Sequence, residues 1–145
     1  NRVKVIEKVN IKNCNQSDIY DENDEYARFL TMDLSFISIE KVLPNLIKLA
    51  NSTGFEIVSL IKPQFEAGKE QVGKNGIVRE REIHIEVIEK VINYCKNIGL
   101  YVKGLTYSPI KGAKGNIEYL IYLSNTQVEE NYSVSDIVNN AHSDI

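Results

Sequence analysis

The run Ile57-Val58-Ser59-Leu60-Ile61 constrains this chain more than any other segment. It is almost wholly apolar, ends in Lys62 and is followed by Pro63-Gln64-Phe65-Glu66. Such a run reads as a strand buried on both faces of a parallel sheet. In an open α/β sheet, ligands bind just past the C-terminal ends of the parallel strands. Lys62 is therefore either a snorkelling surface residue or a catalytic group. Asp33 has the matching position after Phe29-Leu30-Thr31-Met32, and Glu118 opens a third apolar run, Tyr119-Leu120-Ile121-Tyr122-Leu123.

Hydrophobic periodicity supplies the elements around these three residues. Arg2 to Val9 alternates and is β-branched, so it reads as a strand, and residues 12–25 read as a polar loop or short exposed helix. Tyr26 to Asp33 is the next strand. Ser38 caps a helix to about Ala50, with Ile39, Val42, Leu43, Leu46, Ile47 and Ala50 on its inner face and Pro44 expected to kink it or loosen its first turns. Phe55 to Lys62 is the second core strand, and residues 66–80 form a loop rich in glycine and charge. Glu82 to Ile98 is an amphipathic helix that stops at Gly99. Leu100 to Tyr107 and Ile117 to Leu123 are strands joined by a short loop, hence antiparallel. Ser133 to Asp136 resembles a capping box, followed at helical spacing by Val134, Ile137, Val138 and Ala141. Strand–helix alternation of this kind argues α/β. With Asp33 and Lys62 at the ends of parallel strands and Glu118 at the start of a reversed one, all three meet at one edge of the sheet.

At 145 residues the chain fits one domain with a real core. A net charge of −3 does not announce a nucleic-acid binder, but the charge is unevenly spread. None of the bases lies beyond Lys114, whereas Glu129, Glu130, Asp136 and Asp144 all lie beyond residue 124. The stretch 99–116 holds Lys103, Lys111 and Lys114 with no acid. This is either a loop able to dock on phosphate or simply a solvated one. No apolar stretch is long enough to span a bilayer, and no signal peptide is visible. Cys14 and Cys95 fit reduced thiols of a cytosolic protein, and the two cysteines and two histidines offer no metal-ligand spacing. Gly68 to Lys74 spells G-x-x-x-x-G-K, but Asn75 replaces the Ser or Thr that a phosphate loop requires.

Several motifs then occur in a telling order. They are Asp33-Leu34-Ser35-Phe36-Ile37-Ser38, Lys41-Val42-Leu43-Pro44, Lys62-Pro63-Gln64-Phe65-Glu66-Ala67-Gly68, Val72-Gly73-Lys74, Gly76-Ile77-Val78-Arg79 and Gly115-Asn116-Ile117-Glu118-Tyr119. In combination they resemble the TlyA family, FtsJ-like RNA methyltransferases long labelled hemolysins. The resemblance covers roughly residues 1–124, leaving 125–145 as an acidic tail with a short amphipathic helix. It implies a Rossmann-like class I fold, mostly parallel with an antiparallel last strand. It also implies use of S-adenosyl-L-methionine and methylation of a ribose 2′-hydroxyl, on cytidine, in ribosomal RNA or a ribosomal subunit in the cytoplasm. FtsJ-like enzymes use a Lys-Asp-Lys-Glu tetrad, and Asp33, Lys62 and Glu118 match its last three members. The first lysine, the glycine-rich cofactor turn, the ribose-binding acid and a small RNA-binding domain belong upstream in the family. The chain thus reads as the C-terminal part of the methyltransferase domain.

On that resemblance the catalytic candidates are Asp33, Lys62 and Glu118, and the cofactor candidates are Asn10, Asp33 and Leu34. Lys74, Arg79, Lys111 and Lys114 are the candidates for RNA phosphate. Each has a plainer reading: an ion pair closing the sheet edge, a polar turn residue, an exposed charged loop. Two other functions compete, a non-catalytic RNA-binding or assembly module and a membrane-active hemolysin. The latter is weakened because every helical apolar face is needed for packing. If Arg2–Val9 lacks a sheet neighbour, the edge beside Tyr26–Asp33 is open, and self-association, displacement of that first strand or further chain at that edge is expected.

Overall fold

The computed structural model describes residues 2–145. Its elements run α1 (Gln16–Ile19), β1 (Phe29–Met32), α2 (Ile39–Leu49), β2 (Glu56–Ile61), α3 (Pro63–Glu66), α4 (Arg81–Asn97), β3 (Tyr101–Tyr107), β4 (Tyr119–Ser124) and α5 (Val134–Asp144). The sheet order is β1-β2-β4-β3. β1 and β2 pair in parallel, and β4 pairs antiparallel with both β2 and β3. Three strands therefore point the same way, yet only one pairing is parallel. The reason is that the last strand inserts between β2 and β3, which corrects the expectation of a mostly parallel ladder.

Burial along β2 alternates, with Ile57, Ser59 and Ile61 buried and Glu56, Val58 and Leu60 only half-buried. The expectation of a strand buried on both faces is corrected accordingly. The register puts Leu30, Ile57 and Leu123 on one face, with Met32, Ser59 and Ile121 beside them. That face joins the single core cluster with Val42, Leu43 and Leu46 of α2, Val87, Ile88, Val91 and Cys95 of α4, and Val138 and Ala141 of α5. Val58, Leu60, Leu120 and Tyr122, on the other face, do not belong to it. The tail helix α5 packs on α4 and β3 and is part of the core, with Val138 and Ala141 fully buried.

Local rules explain the helix ends. Ser38 Oγ accepts from Glu40 N–H at 3.2 Å at the start of α2. Pro44 cannot donate to the carbonyl of Glu40. Tyr94 on α4 fills that vacancy, its hydroxyl donating to Glu40 O at 3.0 Å, and α2 continues through the proline as one helix. Gly99 takes φ +89 just past α4, and Leu100 N–H returns to Cys95 O at 2.9 Å. Residues 2–9 are a third correction: they form no strand and are exposed, Val3 and Val5 at 74% and 75%. Alternating β-branched residues make a strand only against a partner. Among the described residues, β1 pairs with β2 alone and its outer edge carries no strand.

Candidate active site

Asp33 follows β1 and Lys62 follows β2, so the parallel register of these strands delivers both to the same edge. Lys62 Nζ lies 2.5 Å from Asp33 Oδ1 and 3.4 Å from Ser35 Oγ. The lysine side chain is only 13% exposed, whereas the aspartate is 69% exposed. Glu118 immediately precedes β4. The antiparallel pairing of Ile61 with Tyr119 makes it the register neighbour of Lys62 one position further out. Its carboxylate does not join the ion pair, however. It is buried, and Oε2 accepts from Gln64 Nε2 at 2.9 Å. Asp33 and Lys62 thus touch, while Glu118 reaches this edge through a different partner.

The segment between Lys62 and Glu66 explains how a chain reversal can carry so much of a site. Pro63 opens α3 at the position where a missing N–H is harmless. Gln64 holds Glu118, and Phe65 packs its ring 5.0 Å from that of Phe36. Glu66 is buried and caps α2, accepting from Ile39 N–H at 2.8 Å and Ser38 Oγ at 2.7 Å. Burial pushes the Glu66 carboxyl above its ordinary range, against the opposing effect of those two donors. Gly112 makes room for Glu118, since a Cβ there would sit 2.2 Å from Glu118 Oε2.

A second buried network ties the loops together. Asn116 Oδ1 accepts from Val78 N–H at 3.1 Å, and its Nδ2 donates to Gly76 O at 2.9 Å and Ala113 O at 3.1 Å. His84 lies beneath, with Nδ1 2.7 Å from Tyr119 Oη and Nε2 2.8 Å from Val78 O. A carbonyl only accepts, so Nε2 carries the proton and Nδ1 accepts from the tyrosine. Burial holds the His84 pKa below its ordinary value, with His142 acting in the same direction.

Of the RNA candidates, Arg79, Lys111 and Lys114 line one cavity of about 400 Å³ together with His142. Lys74 is exposed and is not among its lining residues. Asn10 is exposed and its Oδ1 accepts from Lys12 N–H at 3.0 Å, as a turn residue does. Leu34 is half-buried against the core. Sequence reasoning missed Phe36. Its side chain is 89% exposed and its backbone is left-handed at φ +64, a conformation that non-glycine residues seldom adopt. It forms one wall of a cavity of about 540 Å³ shared with Gln64 and Phe65. An aromatic residue just past the strand end, beside Asp33 and Ser35, was the only available signal.

The FtsJ-like methyltransferase family model matches residues 1–125, and the chain belongs to that family. Among its relatives is the Bacillus subtilis protein YqxC, whose name marks it as a candidate rRNA methyltransferase. It is 43% identical over 84% of this chain and 42% of its own length. The 16S/23S rRNA (cytidine-2′-O)-methyltransferase TlyA of Mycobacterium tuberculosis is 35% identical over 97% of this chain and 50% of its own. A solved structure of a candidate hemolysin from Streptococcus thermophilus superposes with a TM-score of 0.84 at 41% identity, covering 94% of this chain and 49% of that one. The chain spans about half the length of the curated relatives it matches.

Proposed function

We propose that this chain is the catalytic-edge half of a TlyA-type enzyme of Rossmann-like class I architecture. The enzyme methylates the ribose 2′-hydroxyl of a cytidine in ribosomal RNA, in the cytoplasm, from S-adenosyl-L-methionine. One observation carries the reading: a largely buried lysine held at 2.5 Å by an exposed aspartate at the ends of two parallel strands, with a buried glutamate next in register. A surface ion pair needs neither the buried lysine nor the neighbouring acid.

The residues present fit the cofactor at its methionine end. The exposed Asp33 carboxylate at the end of β1 suits an ammonium group, and Leu34 offers an apolar wall beside it. Asn10, whose Oδ1 accepts from Lys12 N–H, keeps its amide NH₂ and one acceptor site to contribute. When bound, the cofactor supplies a methyl group on a sulfonium, a good leaving group. Lys62 Nζ is the group that meets the ribose hydroxyl. From its place beside Asp33 and Ser35 Oγ, Lys62 Nζ would orient that hydroxyl and stabilise the negative charge that develops on its oxygen as it takes the methyl group. Phe36 presents its ring to an unstacked base, and Arg79, Lys111 and Lys114 take the flanking phosphates. The test is Lys62→Ala in the full-length parent: methylation of ribosomal RNA is lost while cofactor affinity is kept. Near-normal turnover would refute the assignment. The membrane-active alternative draws on hemolysin names alone, and among the described residues no helix is long and apolar enough to cross a membrane.

A further inference from the structure

We propose that Gln64 reads the target base, its side-chain carbonyl oxygen accepting a hydrogen bond from the exocyclic amine of cytosine. The proposal rests on the function argued above and names how that site would tell cytidine from uridine. The orientation of the Gln64 amide is set by its partner. Nε2 lies 2.9 Å from Glu118 Oε2, and a carboxylate accepts from an NH₂ group. Turning the amide over would bring two acceptors together. Glu118 is itself confined, being buried and pressed over Gly112, where even a methyl group would clash at 2.2 Å. Gln64 is therefore left with its carbonyl oxygen wholly unpaired, alongside the second N–H of the NH₂ group that Glu118 holds.

That acceptor has no partner. Gln64 Oε1 is buried and makes no hydrogen bond, the one such side-chain atom among the described residues. Buried polar atoms are nearly always paired, so an orphan beside a candidate active site points to a ligand that completes it. Its surroundings define the ligand. Gln64 lines the same cavity as Phe36 and Phe65, an aromatic-walled space that begins two residues along the chain from Lys62. A planar base held by those rings places its edge against Gln64. Cytosine presents an amine donor at position 4, whereas uracil presents a carbonyl there. An oxygen facing uracil O4 is a repulsive pairing of two acceptors. The link through Glu118, the register neighbour of Lys62, also couples base recognition to the reacting edge.

The experiment uses the full-length parent and ribosomal RNA carrying either the mapped target cytidine or a uridine in its place. The wild-type enzyme is expected to prefer cytidine in kcat/KM by roughly 10- to 100-fold, the usual discrimination by one base-edge contact. Gln64→Leu is expected to bring that ratio to within about threefold at unchanged cofactor affinity, since discrimination by that contact is lost. Should Gln64→Leu lose all activity through Glu118, the wild-type enzyme is assayed on RNA with a pyrimidin-2-one riboside, which lacks the amine, at the target. A loss of roughly 10-fold or more relative to cytidine supports the proposal. A cytidine-to-uridine ratio unchanged in Gln64→Leu, or a pyrimidin-2-one methylated as fast as cytidine, overturns it. Lys62→Ala runs alongside. If that variant stays active, the enzymatic reading itself fails. If it is dead while the base preference ignores Gln64, only base reading fails.

Discussion

β2 carries a lysine–carboxylate pair at each of its ends, and the two pairs are chemically alike but differently surrounded. At its start, Glu56 accepts from Lys103 Nζ at 2.6 Å and from Tyr122 Oη at 2.6 Å, with the ammonium 5.0 Å from the tyrosine ring centroid. At its end, Lys62 meets Asp33 at 2.5 Å. The first pair is satisfied: the lysine and the tyrosine hold the Glu56 carboxyl below its ordinary range, and the same contact raises Lys103. The second pair sits among features that burial alone does not call for. They are an orphaned amide oxygen, a glycine hollowed out for a carboxylate, and an exposed phenylalanine in a left-handed conformation. An ion pair by itself is therefore a poor marker of function. Incomplete satisfaction around it is the better marker.

The largest expected effect separates these two ends directly. In the full-length parent, Lys62→Ala should lower 2′-O-methylation by ~10²–10⁴-fold, whereas Lys103→Ala should stay within about twofold of wild type, as expected when only one lysine performs acid–base work. Comparable losses from both would erase the contrast. Stability should sharpen the contrast in a different way. Glu66→Ala strips buried partners from Ile39 N–H and Ser38 Oγ and should destabilise the fold by about 1–3 kcal/mol, read from the urea midpoint. An unshifted midpoint would show that α2 does not depend on this cap.

RNA affinity should respond more gently. Lys114→Ala or Arg79→Ala should weaken binding a few-fold and flatten the slope of log affinity against log salt by about 0.7–0.9, one phosphate contact each. Lys74→Ala, outside their cavity, should change the slope less, and an equal change would merge the two groups. The smallest effects are in the pH dependence of stability, and two buried groups give opposite signs. His84 has a depressed folded pKa, so its contribution is present above its ordinary value near 6.5 and is lost as pH falls toward the depressed value. Glu66 has a raised folded pKa, so its contribution is present below its ordinary value near 4.5 and is lost as pH rises through the raised one. His84→Gln and Glu66→Gln should each remove their own slope from a stability–pH curve. Slopes untouched by either substitution would disprove the assignment.

Much of the fold was legible in the sequence. The Ser38 cap, the inner face of α2, the stripe of α4 ending at Gly99 and the apolar spacing of α5 all follow from rules acting within a few residues. The convergence of Asp33, Lys62 and Glu118 on one edge was legible too, because strand direction follows from connection length. Residues 2–9 were misread because alternation specifies which face a strand buries, not whether a partner strand exists. The kink expected at Pro44 did not anticipate Tyr94, a residue of another helix, taking up the freed carbonyl.

The sequence alone thus determined the elements, their caps and the edge at which the ionisable residues gather. Only the tertiary structure decided that β4 would insert between β2 and β3, and that Lys62 would take Asp33 as its partner while Glu118 took Gln64. It also decided that an amide oxygen would be left waiting. The reason is physical. Propensity and periodicity act over a turn or a strand, whereas hydrogen-bond partners are chosen among groups far apart in the chain, by what remains unpaired once the core has closed.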